Sequence, residues 1–532
     1  MGKTRAIALQ QRDVEVAQAA GIIALGNVAS RVLGLVRDMV KADLFGASGP
    51  LSAYEVAAIV PTMIYDLLVG GMSNAALVPV LSAHAVPERR AELWHLLNVL
   101  FSVVVVTLSA FVLLVEALAP QVVWLLGGGL TPILQVLAAR LLRICVPAVL
   151  FLNLAGVVSA TLYALKRFTL PAFTAAVFNA AVVVAALLLS GRYGVVSLAV
   201  GLLAGSLLQI LLQVPGLRDA RWRFKLDLNH PALRRIMRLY VPILLGLVVD
   251  QFAVGLSYNL ASRTGDQSIN WMKYSATLIQ FPLGLVVTAV SIATLPTLSQ
   301  QANLKEADPF QATLARGLRL VLSLVIPATA GLFVLANLIV ALIFEHGDFT
   351  PVDTMATAEA LRYALLGLLF AAVDQPLIFA FYARKDTLTP ALVGVGTTLL
   401  YILMALIPWR LGILTLPLLV LVNSFKLTAH ALAMLVLTQR RLGGLGDHGL
   451  WSLTLKAALA SLAMAVAVWS VMRALAAIAP AGLLGELLIV GGAGGVGVAA
   501  YGLLALVLRI EEIRLIRVAV ADGLNRLTGS GW

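Results

Sequence analysis

Long apolar runs recur along the whole chain, and they limit what this sequence can fold into more than any other feature. Of its 532 residues, 61% are hydrophobic and only 12% are charged, which excludes a soluble globular protein. About fourteen runs are long enough to cross a ~30 Å hydrocarbon core as helices. We therefore predict an all-α polytopic membrane protein with spans near 19–44, 52–82, 93–118, 134–163, 170–190, 194–214, 238–261, 270–298, 317–344, 358–382, 389–408, 412–438, 452–474 and 484–508.

The loops between these runs alternate in charge, and the alternation predicts how the chain is oriented. One set of loops carries Lys3, Arg5, Arg12, Arg89, Arg90, Lys166, Arg167, Arg218, Arg221, Arg223, Lys225, Arg234, Arg235, Lys305, Arg384, Lys385, Arg440, Arg441, Arg509, Arg514 and Arg517. The opposite loops hold at most one cation each, so we predict that both termini are cytoplasmic. Topology and contact with anionic lipids account for most of the net charge of +12, and we expect no nucleic-acid partner.

Two pairs of segments have similar sequences, and the distance along the chain between the two members is nearly the same in both pairs. We call this distance the offset. ALKRFTLPAF at 164–173 resembles ARKDTLTPAL at 383–392, which aligns Pro171 with Pro390 and defines what we call the longer offset. ALVPVLS at 76–82 resembles ATLPTLS at 293–299, which aligns Ser82 with Ser299 and defines the shorter offset. Either offset moves the chain by an even number of spans, so both copies keep one orientation. The pattern predicts a duplication into parallel repeats about an axis along the membrane normal, with a substrate site at their interface.

The repeat divides the chain into three predicted parts. Residues 1–230 form an N-terminal lobe of six spans, and residues 231–440 form a C-terminal lobe of six spans. Residues 441–532 add two further spans and a tail. Apolar and charged residues are interleaved in the tail at 509–527, which predicts an amphipathic cytoplasmic helix at the lipid surface.

The first span contains charges where a bilayer penalises them. In SRVLGLVRDMVKADLFG at 30–46, Arg31, Arg37 and Asp38 fall on one polar third of the predicted helix. An ionised side chain at the bilayer centre costs about 2.5–3.5 kcal/mol. We therefore expect these three side chains to face a protein interior or a water-filled cavity. Lys41, near the end of the helix, can instead snorkel to the interface.

The two arginines of this polar face are the leading candidates for substrate binding. Arginine is always charged and presents planar donors that suit phosphate. The alternative interpretation is a structural ion pair with Asp38, Glu55 or Asp66. Asp66 follows Pro61 in the second span, and it suits either role, as partner of an arginine or as a direct substrate contact.

Two further carboxylates, Asp250 and Asp374, interrupt apolar runs of the second lobe. Acids within a membrane can carry protons or bind sodium, so both residues are candidates for ion coupling. The alternative is that they pair with Lys273 or Arg362. Lys273 lies near the outer end of the eighth span, where snorkelling explains it most simply.

Motifs of catalysis are absent from the sequence. It contains no HExxH, no GxSxG and no phosphate-binding loop of the GxxxxGK[ST] type. The only cysteine is Cys145, and the six histidines show no metal-ligand spacing. We predict no enzyme activity, no metal site and no cofactor. Active transport would then draw on a sodium or proton gradient, on the membrane potential, or on downhill flow of the substrate.

An ordered set of motifs runs through roughly residues 20–440 and consists of SRVLGLVRD, LFGAS, NAALVPVLS, LKRFTLPAF, INWMKYS…QFPLG…IATLPTLS, HGDFT and FYARKDTLTP. This set resembles the MurJ family, also called MviN, of the MOP exporter superfamily. The resemblance implies fourteen spans in two six-helix lobes with two extra C-terminal helices. It also implies export of the peptidoglycan precursor lipid II across the bacterial plasma membrane by alternating access.

The resemblance extends to particular site residues. Arg31 and Arg37 with Asp38 match the family's first-helix pattern, and in the family arginines around a central cavity contact the pyrophosphate and sugar head of the substrate. Tyr65 and Thr277 stand where the family usually has arginine. Two cations of the family pattern are therefore missing from this chain.

Three acids of the family pattern are missing as well, with Ser52, Ala276 and Gln280 in their places. Asp66 and Lys273 complete the predicted substrate-binding set. These differences leave open a divergent flippase or a homologue that handles another lipid-linked or amphipathic anion.

Three functions are therefore considered for this chain. The first is a monomeric flippase of the bacterial inner membrane that exports a lipid-linked anionic precursor similar to lipid II. The second is a cation-coupled exporter of smaller amphiphiles, and the third is a membrane scaffold that no longer transports. A cavity that opens sideways to lipid distinguishes a flippase from the other two.

Overall fold

Helices are the only regular elements in the part of the chain that the structure describes, so the all-α prediction is confirmed. The computed structural model describes residues 2–70, 76–220, 222–303, 307–443, 445, 448–480 and 482–513. By their contacts, the residues separate into two compact units. Unit 1 is Met1–Asn270 with Gly347–Phe349, and unit 2 is Trp271–His346 with Thr350–Trp532.

Eleven helices of the described residues lie wholly in unit 1. They are α1 (Gly2–Phe45), α2 (Gly49–Tyr65), α3 (Val78–Ser82), α4 (Arg90–Ala117), α5 (Ala119–Gly127), α6 (Pro132–Cys145), α7 (Ala148–Ala164), α8 (Thr169–Ala172), α9 (Thr174–Tyr193), α10 (Val196–Gln213) and α11 (Pro231–Ser262). Proline in the first turn begins α2, α6 and α11, where its missing N–H has no partner to lose. One π-helical turn, Asp66–Gly70, continues α2.

The remaining helices run through unit 2, except that the first residues of α12 belong to unit 1. They are α12 (Ser268–Phe281), α13 (Thr288–Asn303), α14 (Ala307–Val334), α15 (Ala336–Phe344), α16 (Pro351–Ala383), α17 (Leu388–Arg410), α18 (Leu416–Arg441), α19 (Leu450–Ala476) and α20 (Leu483–Val507). A π-helical segment, Pro282–Val287, joins α12 to α13. Thr350 and Asp353 form a reciprocal cap at the start of α16, which fixes where this long helix begins.

The helix bounds repeat between the two units at the offsets that the sequence predicts. At the shorter offset, both bounds of α4 coincide with those of α14, and both bounds of α5 coincide with those of α15. At the longer offset, the stretch from the start of α6 to the end of α7 coincides with α16. A π-helical segment also follows α2 in unit 1 and α12 in unit 2. The units are therefore structural repeats of one helical plan.

The most specific sign of the repeat is a turn with the same unusual backbone in both units. Lys166 and Lys385 correspond at the longer offset and adopt φ angles of 58° and 62°, which a non-glycine residue rarely adopts. The amide of Arg167 donates to the Leu162 carbonyl at 2.8 Å. At the same offset, the amide of Asp386 donates to the Phe381 carbonyl at 3.0 Å.

One short segment from the middle of the chain packs with unit 1. The amide of Asp348 donates to the carbonyl oxygen of Asp43 at 2.9 Å, at the end of α1. Gly347 has a φ of +55°, and a Cβ atom there would lie 2.1 Å from the same carbonyl oxygen. The glycine of the HGDFT motif is therefore required by this close backbone contact.

Twelve helices of the described residues are long and apolar enough to cross a membrane, and α11 brings the number to thirteen when its bent pair counts as one span. The first predicted span lies within α1, which is not among them, so the predicted count of fourteen is not confirmed. The contact-based division places α11 in unit 1, and the predicted lobe boundaries at 230 and 440 remain predictions. Of the predicted amphipathic tail, residues 514–527 lie outside the described residues.

Candidate functional site

Four ionised side chains meet inside unit 1, where the polar face of α1 meets α2 and α9. Arg37, Asp38 and Lys41 come from α1, and Glu55 comes from α2. The side chains of Asp38, Lys41 and Glu55 are only 6%, 5% and 3% exposed, and that of Arg37 is 26% exposed. We call these four residues the charge cluster. Its two cations and two anions leave no net charge to bury.

A single carboxylate oxygen joins the two cations of the charge cluster. Asp38 Oδ1 accepts from Arg37 Nε at 3.0 Å and from Arg37 Nη2 at 2.9 Å. Lys41 Nζ lies 3.2 Å from the same oxygen. Neighbouring positions of a helix point about 100° apart, so the contact depends on the long Arg37 side chain folding back over α1. The ion pair between Arg37 and Asp38, which sequence analysis gave as one alternative interpretation of the arginine, is present in the structure.

Lys41 is held by a second carboxylate, from the adjacent helix. Its Nζ lies 2.5 Å from Glu55 Oε1, and both side chains are buried. The sequence-based interpretation that Lys41 snorkels to the interface is therefore wrong. Its position near the end of α1 suggested an exposed ammonium, but packing of α2 against this turn buries it next to a carboxylate.

Asn179 of α9 fixes the guanidinium of Arg37 from the other side. Its Oδ1 accepts from Arg37 Nη1 at 3.0 Å, and its Nδ2 donates to the Ser30 carbonyl at 3.1 Å. Gly34 lies next to this contact, and a Cβ atom there would lie 3.6 Å from Asn179 Nδ2, an ordinary packing distance. Sequence analysis missed Asn179, although it is a lone amide within an apolar run and that signal was available.

The geometry leaves Arg37 able to bind an additional anion. A guanidinium has five N–H donors, and the bonds to Asp38 and Asn179 use three of them. The side chain is also the most exposed of the charge cluster. Because Lys41 touches the same oxygen of Asp38, that carboxylate keeps a counter-ion when Arg37 binds another anion. Arg37 is thus preorganised as an anion-binding side chain.

In unit 2, the structure places a carboxylate next to a histidine. Asp374 Oδ2 of α16 lies 2.7 Å from Nδ1 of His430 on α18. Both side chains are largely buried, at 13% and 12% exposure. Sequence analysis named Lys273 and Arg362 as alternative partners for the predicted coupling acids; Arg362 instead donates to the Phe333 carbonyl.

The other predicted site residues of unit 1 lie on α1, at the end of α2 and on α11. Arg31 is half-buried on α1, about 9 Å along the helix axis from Arg37. Tyr65 is half-buried at the end of α2, and Asp66, which follows it, is exposed and makes no ion pair with a described residue. Asp250 is half-buried on α11 of unit 1.

In unit 2, Lys273 and Thr277 are half-buried on α12, one turn apart. Their predicted contact with a substrate is not tested by this arrangement and remains a prediction. Among the described residues, no group of three or more His, Cys, Asp or Glu side chains could hold a metal ion.

The structure has repeated helical units, at least twelve candidate spans among the described residues, and ionised side chains inside the spans. These features define a multi-pass membrane transporter. The chain belongs to the MurJ family. The family model described as "Lipid II flippase MurJ" matches residues 41–489. A probable lipid II flippase MurJ of Vibrio cholerae is 31% identical over 84% of this chain and 86% of its own. The lipid II flippase MurJ of Burkholderia cenocepacia is 30% identical over 69% of this chain and 73% of its own.

Solved structures show the same fold. A lipid II flippase MurJ in an inward closed conformation has a TM-score of 0.78 and 24% identity, and the match covers 92% of this chain and 98% of the other. An inward-facing multidrug resistance MATE family transporter of the MOP superfamily has a TM-score of 0.68 and 12% identity, over 78% of this chain and 94% of the other. The predicted family is therefore confirmed.

Proposed function

We propose that this chain exports lipid II, a lipid-linked cell-wall precursor, from the inner to the outer leaflet of a bacterial plasma membrane. Membership of the MurJ family supports the substrate, and the repeated units support alternating access as the mechanism. The chain acts as a monomer with both termini in the cytoplasm, and it catalyses no change in covalent bonds.

The observation that carries this proposal is the Arg37 side chain, which remains 26% exposed within a buried, charge-balanced cluster. A pyrophosphate offers the planar pairs of acceptors that suit a guanidinium. Binding would use the N–H groups of Arg37 that Asp38 and Asn179 leave over. Because Asp38 remains next to Lys41, an incoming phosphate need not leave a buried carboxylate alone.

The remaining substrate contacts follow from the family pattern. Arg31 is a second cation for the head group, and Asp66 and Lys273 are polar contacts. Tyr65 and Thr277 replace arginines of the family pattern, so the pyrophosphate of this chain is held by fewer charge-assisted bonds. Each such bond is worth about 1.5–3 kcal/mol.

Energy for transport comes from an ion gradient or the membrane potential, without a bound cofactor. Asp250 and Asp374 are the carboxylates available for coupling to sodium or protons. Both lie within helices and both are at most half-exposed, which supports a role that requires a shielded charge.

The test is transport of labelled lipid II by the purified full-length protein in liposomes. The wild type should move the label, Arg37→Ala should move it roughly tenfold to hundredfold more slowly, and Arg192→Ala should match the wild type. Arg192 is a suitable control because it is exposed at the end of α9, with its guanidinium 5.5 Å from the Tyr193 ring centroid.

The alternatives predict different results in the same liposomes. Movement of smaller fluorescent amphiphiles without lipid II would contradict the proposal and support an exporter. A folded protein that moves neither would contradict it and support a scaffold.

A further inference from the structure

The Asp374–His430 pair lies well inside the helices that carry it. At 1.5 Å per residue, Asp374 is about 13 Å from the C-terminal end of α16, and His430 is about 16 Å from the C-terminal end of α18. The contact is a close approach of the two groups, because neither His430 Nδ1 nor the other oxygen of Asp374, Oδ1, makes a hydrogen bond with a described residue. A carboxylate in this position is strongly affected by the charge of the imidazole beside it.

The fold does not require this pair, because unit 1 builds the same helix contact without it. At the longer offset, Ala155 corresponds to Asp374 and Leu211 corresponds to His430. In unit 1, α7 packs against α10 with Gln213 donating to the Ala155 carbonyl at 3.3 Å. The titratable pair is therefore an addition specific to unit 2.

Few other charges can control the pair. The π-helical segment Pro282–Val287 and α13 carry no charged or histidine residue, and on α17 a Cβ atom at Gly394 would lie 3.8 Å from His430 Nε2. The charged residues of α14 are Asp308, Arg316 and Arg319, and all three lie in the first half of that helix. On the two helices of the pair, the neighbours are Tyr382, which interacts electrostatically with Asp374, and Lys426, one turn before His430.

We propose that Asp374 and His430 form a proton-binding site that couples the transport cycle to protons rather than to sodium. This inference rests on the proposed transport function and names its coupling ion. Imidazole is the side chain that ordinarily changes charge near neutral pH. His430 Nδ1 lies only 2.7 Å from the Asp374 carboxylate. The histidine therefore occupies the position from which a bound metal cation would otherwise neutralise Asp374.

The coupling step is a protonation that leaves every other covalent bond unchanged. A proton from the outer side binds the neutral imidazole, and histidinium then pairs with the Asp374 carboxylate. The charge of the site rises by one unit, which lowers the cost of holding Asp374 in a membrane. Release of the proton to the cytoplasm restores the neutral imidazole and completes the cycle.

The test begins without any substrate, so that it does not depend on the proposed function. The melting temperature of the purified full-length protein is measured at about pH 6 and at about pH 8, in sodium chloride and in choline chloride. The ion pair forms only with a protonated imidazole, so the wild type should lose melting temperature between the two pH values. His430→Gln and Asp374→Asn should each remove at least half of that loss.

His346→Gln is the matched control, because His346 is a partly buried histidine of unit 2 that contacts neither member of the pair. It should retain the wild-type pH response. An unchanged response in His430→Gln would overturn the proposal. So would a sodium-specific gain in melting temperature that Asp374→Asn abolishes and His430→Gln retains.

A second measurement uses the liposomes that move labelled lipid II. An imposed pH gradient should change the wild-type rate several-fold and leave the His430→Gln rate unchanged, whereas a sodium gradient should affect neither. If the wild type moves no lipid II, the proposed function fails, and the melting experiment still decides whether the proton site exists.

Discussion

The two units bury charge in different ways. In unit 1, two cationic and two carboxylate side chains share a network in which one oxygen of Asp38 contacts both cations. In unit 2, a carboxylate lies beside a histidine, whose charge depends on pH. The first arrangement holds a fixed cation, Arg37, ready for an anion. The second can change its charge during a cycle.

Neither arrangement recurs at the positions that correspond to it along the repeat. At the shorter offset, the four positions of the charge cluster correspond to Val254, Gly255 and Tyr258 of α11, which lies in unit 1, and to Met272 of α12, and none of these residues is charged. The shared helical plan thus folds with or without each set of charges. Buried charges that the fold does not need are costly, and functions specific to each unit explain why they are present.

The largest effect is expected from breaking the charge cluster at Lys41. Lys41→Met leaves Glu55 buried without its cation, and removing one partner of a buried ion pair costs about 3–5 kcal/mol. We expect a large loss of the free energy of unfolding, measured by denaturant unfolding of the purified protein. Lys41→Met combined with Glu55→Gln restores the balance of charge and should recover most of that loss. If the single variant is as stable as the wild type, the pair is not a stabilising part of unit 1.

The charge cluster also shows how far sequence reasoning reaches. Arg37 and Asp38 could be predicted because ionised residues in an apolar run are visible in the sequence alone. Lys41 was misjudged because its burial is imposed by Glu55 on another helix, 14 residues away. His430 was overlooked because metal-ligand spacing tests one stretch of sequence, whereas its partner, Asp374, lies on a separate helix.

The fold was more predictable than the site. The repeated motifs define the two offsets at which the helix bounds recur. The shared turn at Lys166 and Lys385 lies within those motifs. Side-chain contacts between helices depend on rotation and depth of each helix, and a 3.6-residue period does not specify them.

The next largest effect is expected at Arg37, on transport rather than on stability. Arg37→Ala removes a charge-assisted contact to an anionic substrate, worth about 1.5–3 kcal/mol, or roughly a tenfold to hundredfold loss of transport. Asp38 keeps Lys41, so the melting temperature should fall less than in Lys41→Met. Arg37→Lys should transport at an intermediate rate, because an ammonium lacks the two-pronged geometry. A transport rate equal to the wild type in Arg37→Ala would remove this residue from the binding site.

A smaller effect is expected at Asn179, which orients Arg37 without carrying charge. Asn179→Leu removes one neutral-acceptor bond to the guanidinium and leaves the Ser30 carbonyl without its amide donor. The guanidinium keeps its charge and both of its bonds to Asp38, so transport should fall by less than in Arg37→Ala. The loss should be absent when Arg37 is already alanine. Equal losses in both backgrounds would show that Asn179 acts independently of Arg37.

The smallest effect is expected in the turn that both units share. There Arg167 of unit 1 corresponds to Asp386 of unit 2, and the two side chains carry opposite charges. In unit 1, Arg167 donates to the Gly216 carbonyl. In unit 2, Asp386 accepts from the backbone and hydroxyl of Thr389 at 3.0 Å and 2.7 Å, and it lies 3.4 Å from Arg441. Slight burial works to raise the pKa of Asp386, but the Thr389 hydrogen bonds and the Arg441 charge outweigh it, so the pKa lies below its ordinary value.

The sign of the expected pH dependence follows from that lowered pKa. The bonds to the ionised carboxylate stabilise the folded chain fully above the ordinary aspartate pKa of about 3.9, and they are lost as pH falls through the lower pKa of the folded state. Between about pH 5 and about pH 3, Asp386→Asn should therefore lose less melting temperature than the wild type. Asp348→Asn, at an exposed residue outside this turn, should follow the wild type. If Asp386→Asn and the wild type lose the same melting temperature, the carboxylate does not stabilise the turn, and the opposite charges have no consequence for the stability of the two units.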